Sequence, residues 1–105
     1  RAASRIGAQV VELHTGAYCD LHYEKRFRER DDELARLKDM ASLAHSLGLE
    51  VHAGHGLTFE TVTQIAELPE VVELNIGHFL IGESIFTGLK EAILRMRELM
   101  DKARL

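Results

Sequence analysis

The chain has 105 residues, is 46% hydrophobic and 29% charged, and carries a formal net charge of −4. That length suits one small domain, and the composition is that of an ordinary soluble globular protein. The acidic balance excludes a basic field for nucleic acid or anionic membrane. No apolar run is long enough to span a bilayer, and the lone Cys19 excludes a disulfide framework and a Cys-rich zinc module.

Cysteine usage and the lack of a basic-then-apolar leader pattern point to a cytoplasmic setting. Arg1 to Arg5 reads as the tail of a helix with Gly7 just past its end. Because the sequence opens inside an element, an N-terminal portion is expected to precede it. The first strand is expected over Val10 to Thr15, bounded by Gly7 and Gly16. Ala17 to Arg30 is polar and reads as a long loop or partial helix, with the charged run from Glu24 to Asp32 as a solvated face, a lid or a subunit contact. Asp31 or Asp32 is the expected cap of the next helix. Leu34, Leu37, Ala41, Ala44 and Leu47 form its apolar stripe, and Gly48 ends it.

Leu49 to Ala53 is the second expected strand. Thr58 is placed as the N-cap of a helix carrying Val62, Ile65 and Ala66, which stops before Pro69. Val71 to Ile76 is the third strand, followed by Gly77-His78, a short apolar segment and one or two helical turns over Gly82 to Thr87. The last helix, Leu89 to Ala103, has Leu89, Ile93, Met96, Met100 and Ala103 on one face.

Three βα units in succession argue for parallel strands with helical crossovers. A doubly wound sheet and an eight-fold barrel both use this pattern. The polar side of each strand favours the barrel. Val11 and Leu13 alternate with Glu12 and His14, Val51 and Ala53 with His52, and Val72, Leu74 and Ile76 with Glu73 and Asn75. Strands covered by helices on both faces would be apolar throughout. Polar side chains facing a barrel interior need solvent or hydrogen-bond partners, so they are read as site-building. Three units cannot close a barrel of roughly 250 residues. The chain is therefore expected to be one portion, residues 1–105, of a single TIM-barrel domain whose N-terminal half lies elsewhere.

The six histidines and eight glycines gather in short clusters. In His52-Ala53-Gly54-His55-Gly56, the glycines let backbone approach a ligand closely, and a helix start after Thr58 would offer free N–H groups to an anion. His55, flanked by glycines, is a candidate acid or base; a glycine-rich turn with an incidental histidine is the plainer reading. Gly77-His78 repeats the arrangement one strand later, where barrels commonly bind phosphate. Glu12 and His14 project to the same side of the first strand, either as site groups or as an internal hydrogen-bonded pair. His52 and His55 are three apart, but a strand-to-loop segment does not place them like two ligands on one helix face; His14, His52 and His78 converging on a metal at a barrel mouth is a further reading, and no metal is assigned. His22 and His45 read as surface or helix-packing residues, and Cys19 is given no role.

Four motifs in order, Val11-Glu12-Leu13-His14-Thr15-Gly16-Ala17-Tyr18, Ser46-Leu47-Gly48-Leu49, Ala53-Gly54-His55-Gly56-Leu57-Thr58 and Glu73-Leu74-Asn75-Ile76-Gly77-His78, resemble the pyridoxine 5'-phosphate synthase family from about Ile6 to Ala103. The resemblance implies the last three βα units of a cytoplasmic, homo-oligomeric TIM barrel, an octamer in well-known members. It implies condensation of 1-deoxy-D-xylulose 5-phosphate with 3-amino-2-oxopropyl phosphate to pyridoxine 5'-phosphate, phosphate and water, with no cofactor. His55 matches the family's proton donor and Glu12 its transition-state stabiliser. Gly56, Gly77 and His78 match contacts to the aminoketone phosphate. The remaining base residues and most contacts to the other substrate belong to the first half of the barrel, and Ala17 to Arg30 departs from the family in length. Partners on this reading are phosphorylated small molecules, the rest of the barrel and further copies of the protein, with neither nucleic acid nor membrane. Two other readings are a stand-alone half-barrel that binds phosphate without catalysis and a metal-dependent aldolase or epimerase barrel.

Overall fold

The computed structural model describes residues 9–105, apart from the side chains of His78 and Ser84. The helix tail expected over residues 1–5, and Gly7, lie outside the described residues. Three strands, β1 (Val10–His14), β2 (Glu50–Gly54) and β3 (Val71–Asn75), form one parallel sheet in the order β1-β2-β3. Among the described residues, five helices connect and follow them: α1 (Gly16–Tyr23), α2 (Phe27–Ser46), α3 (Val62–Ala66), α4 (Gly77–Thr87) and α5 (Leu89–Ala103).

The alternation along the strands sorts their side chains as the pattern demands. Leu13, Val51, Ala53 and Val71 are buried against the helices, and Glu12, His14, Glu73 and Asn75 stand exposed on the opposite face. One strand departs from the simple pattern. Val51 pairs with Val71 but His52 pairs with Glu73, so β3 carries an extra residue there. This bulge buries Val71 and leaves Val72 65% exposed, contrary to the inward place expected for Val72. It then returns Leu74 and Ile76 to the helical side and Asn75 to the open one, because an inserted residue reverses the side-chain phase of a strand.

The segment over Ala17 to Arg30 is a helix, a short break and the start of a second helix, where a long loop was one of the expectations. Tyr18 and Cys19 of α1 are fully packed. Lys25, at φ +60, turns the chain between α1 and α2. Asp31 and Asp32 do not cap α2; they lie in its second turn, since the helix begins at Phe27. These first turns carry no apolar stripe because they are solvated, and ion pairs of Arg26 with Glu29 and Arg36 with Glu33 run along them. Further on, Leu37, Ala41 and Ala44 are buried as the stripe requires. Gly48, at φ +81, closes the helix, with the Gly48 and Leu49 amides donating to the His45 and Ala44 carbonyls at 2.9 and 3.1 Å; a left-handed residue in this place satisfies the last free carbonyls.

Two helix starts differ from expectation. Thr58 does not cap α3, which begins four residues later. Instead Thr58 accepts from the Glu60 amide through its hydroxyl at 3.3 Å and donates its own amide to Thr61 Oγ1 at 2.9 Å. These bonds hold a turn, not a helix end. The helix expected over Gly82 to Thr87 is the second half of α4, which runs unbroken from Gly77.

Along α5 the stripe is rotated from the expected one. Ala92 and Met96 are buried, whereas Leu89 and Ile93 are about half exposed. Past its end, the Arg104 guanidinium donates to the carbonyls of Ala66, Leu68 and Val71, tying the chain end to the entry of β3. Leu37, fully enclosed between α2 and the sheet, tests the packing. Leu37→Ala should lower stability by about 2–5 kcal/mol, read as a shift of the denaturant midpoint at unchanged slope.

Candidate active site

The open face of the sheet ends in a groove of about 710 Å³, lined by Glu12, His14, Asn75, Ile76, Gly77, Phe79 and the turn from Gly54 to Thr58. Glu12, His55, Gly56 and Gly77, four of the five residues singled out from the sequence, line this one space. The fifth, His78, is the second residue of α4, and its side chain lies outside the described residues.

Each group is placed by its strand. Glu12 of β1 and Asn75 of β3 lie on either side of β2, yet Asn75 Nδ2 donates to Glu12 Oε2 at 2.8 Å. The bond crosses over Gly54. A Cβ at that position would lie 2.8 Å from Glu12 Oε2 and 2.8 Å from the Asn75 carbonyl oxygen, so the missing side chain is what lets the two meet. Glu12 does not bond His14, and the internal pair considered from sequence is replaced by this cross-sheet contact.

His55 is exposed to the groove and held at φ +88, followed by Gly56 at φ +80. A left-handed conformation is costly for a residue with a Cβ and persists only where its surroundings hold it. Here they do. Thr15 Oγ1 lies 2.8 Å from the Gly54 carbonyl oxygen and 2.7 Å from that of His55, sharing its proton between them, while the Thr15 amide donates to Gly54 O at 2.8 Å. Cys19 packs beneath, its Sγ 3.6 Å from Thr61 Oγ1. A Cβ at Gly56 would come within 3.3 Å of the Cys19 Cβ. Burial pushes the Cys19 thiol up, partly offset by the hydrogen bond with Thr61. Cys19 therefore serves as a floor for the turn.

The His14 and His55 rings stack, with centroids 4.2 Å apart and planes inclined by 28°. His52 sits one layer deeper, its Nε2 2.6 Å from Glu50 Oε2 and its Nδ1 3.4 Å from Glu73 Oε2. His52 thus faces different partners from His14 and His55, and among the described residues no group of three or more His, Cys, Asp or Glu is placed to hold a metal ion. His22, beside Glu60, and the exposed His45 lie away from the groove.

The helix start that opens on the groove is that of α4, and none begins directly after Thr58. Gly77 opens that eleven-residue helix on the groove, and the first amides of a helix have no partner within it. Asn75 was expected on the site-building side of its strand but with no role of its own, and Thr15 and Gly16 were given none. Asn75 stood on the polar side of its strand, which was the available signal; Thr15 and Gly16 gave none beyond following the strand.

Parallel strands with polar groups and a glycine-lined groove at their carboxyl ends define the class of α/β proteins that carry a ligand site in that position. The chain belongs to the family described as pyridoxal phosphate biosynthesis protein PdxJ, whose model matches residues 1–102. It is similar to the pyridoxine 5'-phosphate synthase of Roseobacter denitrificans, 73% identical over 103 residues, which are 98% of this chain and 41% of that protein. The synthase of Ruegeria pomeroyi is 69% identical over 103 residues, 98% of this chain and 42% of that protein. That of Caulobacter vibrioides is 61% identical over 104 residues, 99% of this chain and 41% of its own length. The chain thus spans about two fifths of the length of the relatives it matches. Among the described residues no helix is long and apolar enough to cross a membrane.

Two measurements check the turn. Thr15→Val, which keeps the shape and removes the hydroxyl, should cost about 1–3 kcal/mol in chemical denaturation, because the His55 carbonyl loses its close donor. With its folded value raised above the ordinary 9.0, the Cys19 thiol should alkylate slowly in the native protein. The same shift makes its contribution to stability full below the ordinary value and lost as pH rises towards the folded one. Native-state alkylation as fast as that of the unfolded protein would contradict the packing.

Proposed function

We propose that this chain is the C-terminal part of a TIM-barrel pyridoxine 5'-phosphate synthase. On this reading the complete protein condenses 1-deoxy-D-xylulose 5-phosphate with 3-amino-2-oxopropyl phosphate, releasing phosphate and water. The observation that carries the proposal is the family match over residues 1–102, together with the meeting of Glu12, His55, Gly56 and Gly77 in one groove. The one-sided helix cover of the sheet supports a barrel wall, since a doubly wound sheet has helices on both faces. The outer edges of β1 and β3, unpaired among the described residues, are where the remaining strands would join.

The chemistry needs several proton transfers, loss of water and ring closure. His55, exposed on a constrained turn, donates a proton to the reacting substrate. Glu12, oriented by Asn75, offers a carboxylate to positive charge developing on the amine-derived centre. The α4 amides beginning at Gly77, the Gly56 backbone and His78 hold the phosphate of the aminoketone, which fixes a small flexible substrate for attack. The base residues and the second substrate's contacts come from the rest of the barrel. The complete protein works as a cytoplasmic homo-oligomer.

The test is turnover of the two phosphates by the complete protein. His55→Asn should lower kcat by about 10²–10⁴-fold while binding of 3-amino-2-oxopropyl phosphate changes little. Unaltered kcat would remove His55 from the role of donor.

A further inference from the structure

We infer that His14 is a positioning residue for His55, and this rests on the reading of His55 as the proton donor. His55 has a left-handed backbone, and Gly54 and Gly56 on either side carry no side chain to pack against its imidazole. Thr15 holds its carbonyl, but that leaves the ring itself free to rotate. A donor on an exposed turn gains catalytic value only if its ring is kept near one orientation.

The His14 ring supplies that restraint. It lies 4.2 Å from the His55 ring, inclined by only 28°, so the two overlap face to face. His14 is itself anchored: the Gly16 amide donates to His14 Nδ1 at 3.3 Å. A backbone N–H is a donor only, so Nδ1 must accept, and this bond restrains the orientation of the ring. The second restraint is Gly16. A Cβ there would lie 2.8 Å from His14 Cε1 and 2.9 Å from His55 Cδ2. The ring pair therefore rests directly on the first residue of α1, with no space for a side chain beneath.

Three elements converge on the pair: β1 through His14, the turn after β2 through His55, and α1 through Gly16. Around the pair, the Gly16 amide meets His14 Nδ1, the Thr15 hydroxyl meets the His55 carbonyl, Glu12 is held by Asn75, and the Cys19 thiol lies packed under the turn. Neither Glu12 nor Cys19 is hydrogen-bonded to the two rings. The contact between them is a stack, and its effect on His55 is one of geometry.

The experiment uses the complete protein and the two phosphorylated substrates. His14→Ala should lower kcat by about 10–100-fold with KM changed by less than about threefold, and His14→Phe, which restores a flat ring, should recover most of that loss. In a His55→Asn background, His14→Ala should cost less than about twofold, because the ring it positions is no longer present. The proton spectrum of His55 gives a readout independent of turnover: its ring-current shift should disappear in His14→Ala and persist in His14→Phe. Wild-type kcat in His14→Ala, or an equal loss in the presence and absence of His55, overturns the inference while leaving His55 as donor. Wild-type turnover in His55→Asn overturns the donor reading itself, and this inference with it. A loss in His14→Ala that follows the folded fraction, with no change in kcat per folded site, assigns His14 to structure alone and also overturns it.

Discussion

The Thr15 hydroxyl, placed between the carbonyl oxygens of Gly54 and His55, is the contact on which the site depends. Thr15 is fully buried and follows the last residue of β1, so its position is set by the sheet and not by a loop. Its partners are the last residue of β2 and the first residue beyond it. A strongly bent turn is thereby fastened to the most rigid part of the molecule. Without such a partner, a histidine at φ +88 would relax towards ordinary backbone angles. The Cys19 thiol and the Thr61 hydroxyl fill the space beneath, and burial keeps the thiol from ionising readily.

Glycine does two different jobs around this turn. At Gly56 the requirement is conformational, a positive φ next to a second positive φ. At Gly54 and Gly16 the requirement is space. Over Gly54 the Glu12 carboxylate reaches Asn75 across the width of a strand, and over Gly16 the two imidazoles lie flat. Gly77 differs again: among the described residues, no atom beyond its chain neighbours and its own helix backbone lies within 4 Å of where its Cβ would be. There the open space belongs to the groove, and the start of α4 lies beside it.

The split of the sheet into two faces links fold to chemistry. On one face Leu13, Val51, Ala53 and Val71 join α2, α3 and α5 in a continuous core. On the other, carboxylates and imidazoles form successive rows across the strands, with Glu12, His52 and Glu73 in one row and His14, Gly54 and Asn75 in the next. The bulge at Val72 keeps the rows aligned at β3, where a strict alternation would have put Val71 and Glu73 on the same side. Small backbone irregularities near a site often serve to re-aim side chains in this way.

Much of this was legible in the sequence because it is local. Strand alternation, the apolar stripe of α2, the glycine that ends it and the span of α5 all depend on neighbours a few residues apart, where period and propensity act directly. Polar positions on the strands marked Glu12 and Asn75 as unusual, and the glycine-flanked His55 stood out by its neighbours alone. The charged run from Glu24 to Asp32 was legible as a solvated face, but the residue at which α2 begins was not, since turns with no buried face show no period. Nor was the displaced start of α3, because Thr58 has a capping residue's chemistry but spends it on Thr61 and Glu60. The bulge in β3, the clamp by Thr15, the bond of Asn75 to Glu12 and the stack of His14 on His55 join residues from separate βα units. Which side chains meet there is decided by strand register and by the places where a side chain is missing, and those quantities exist only once the sheet has formed.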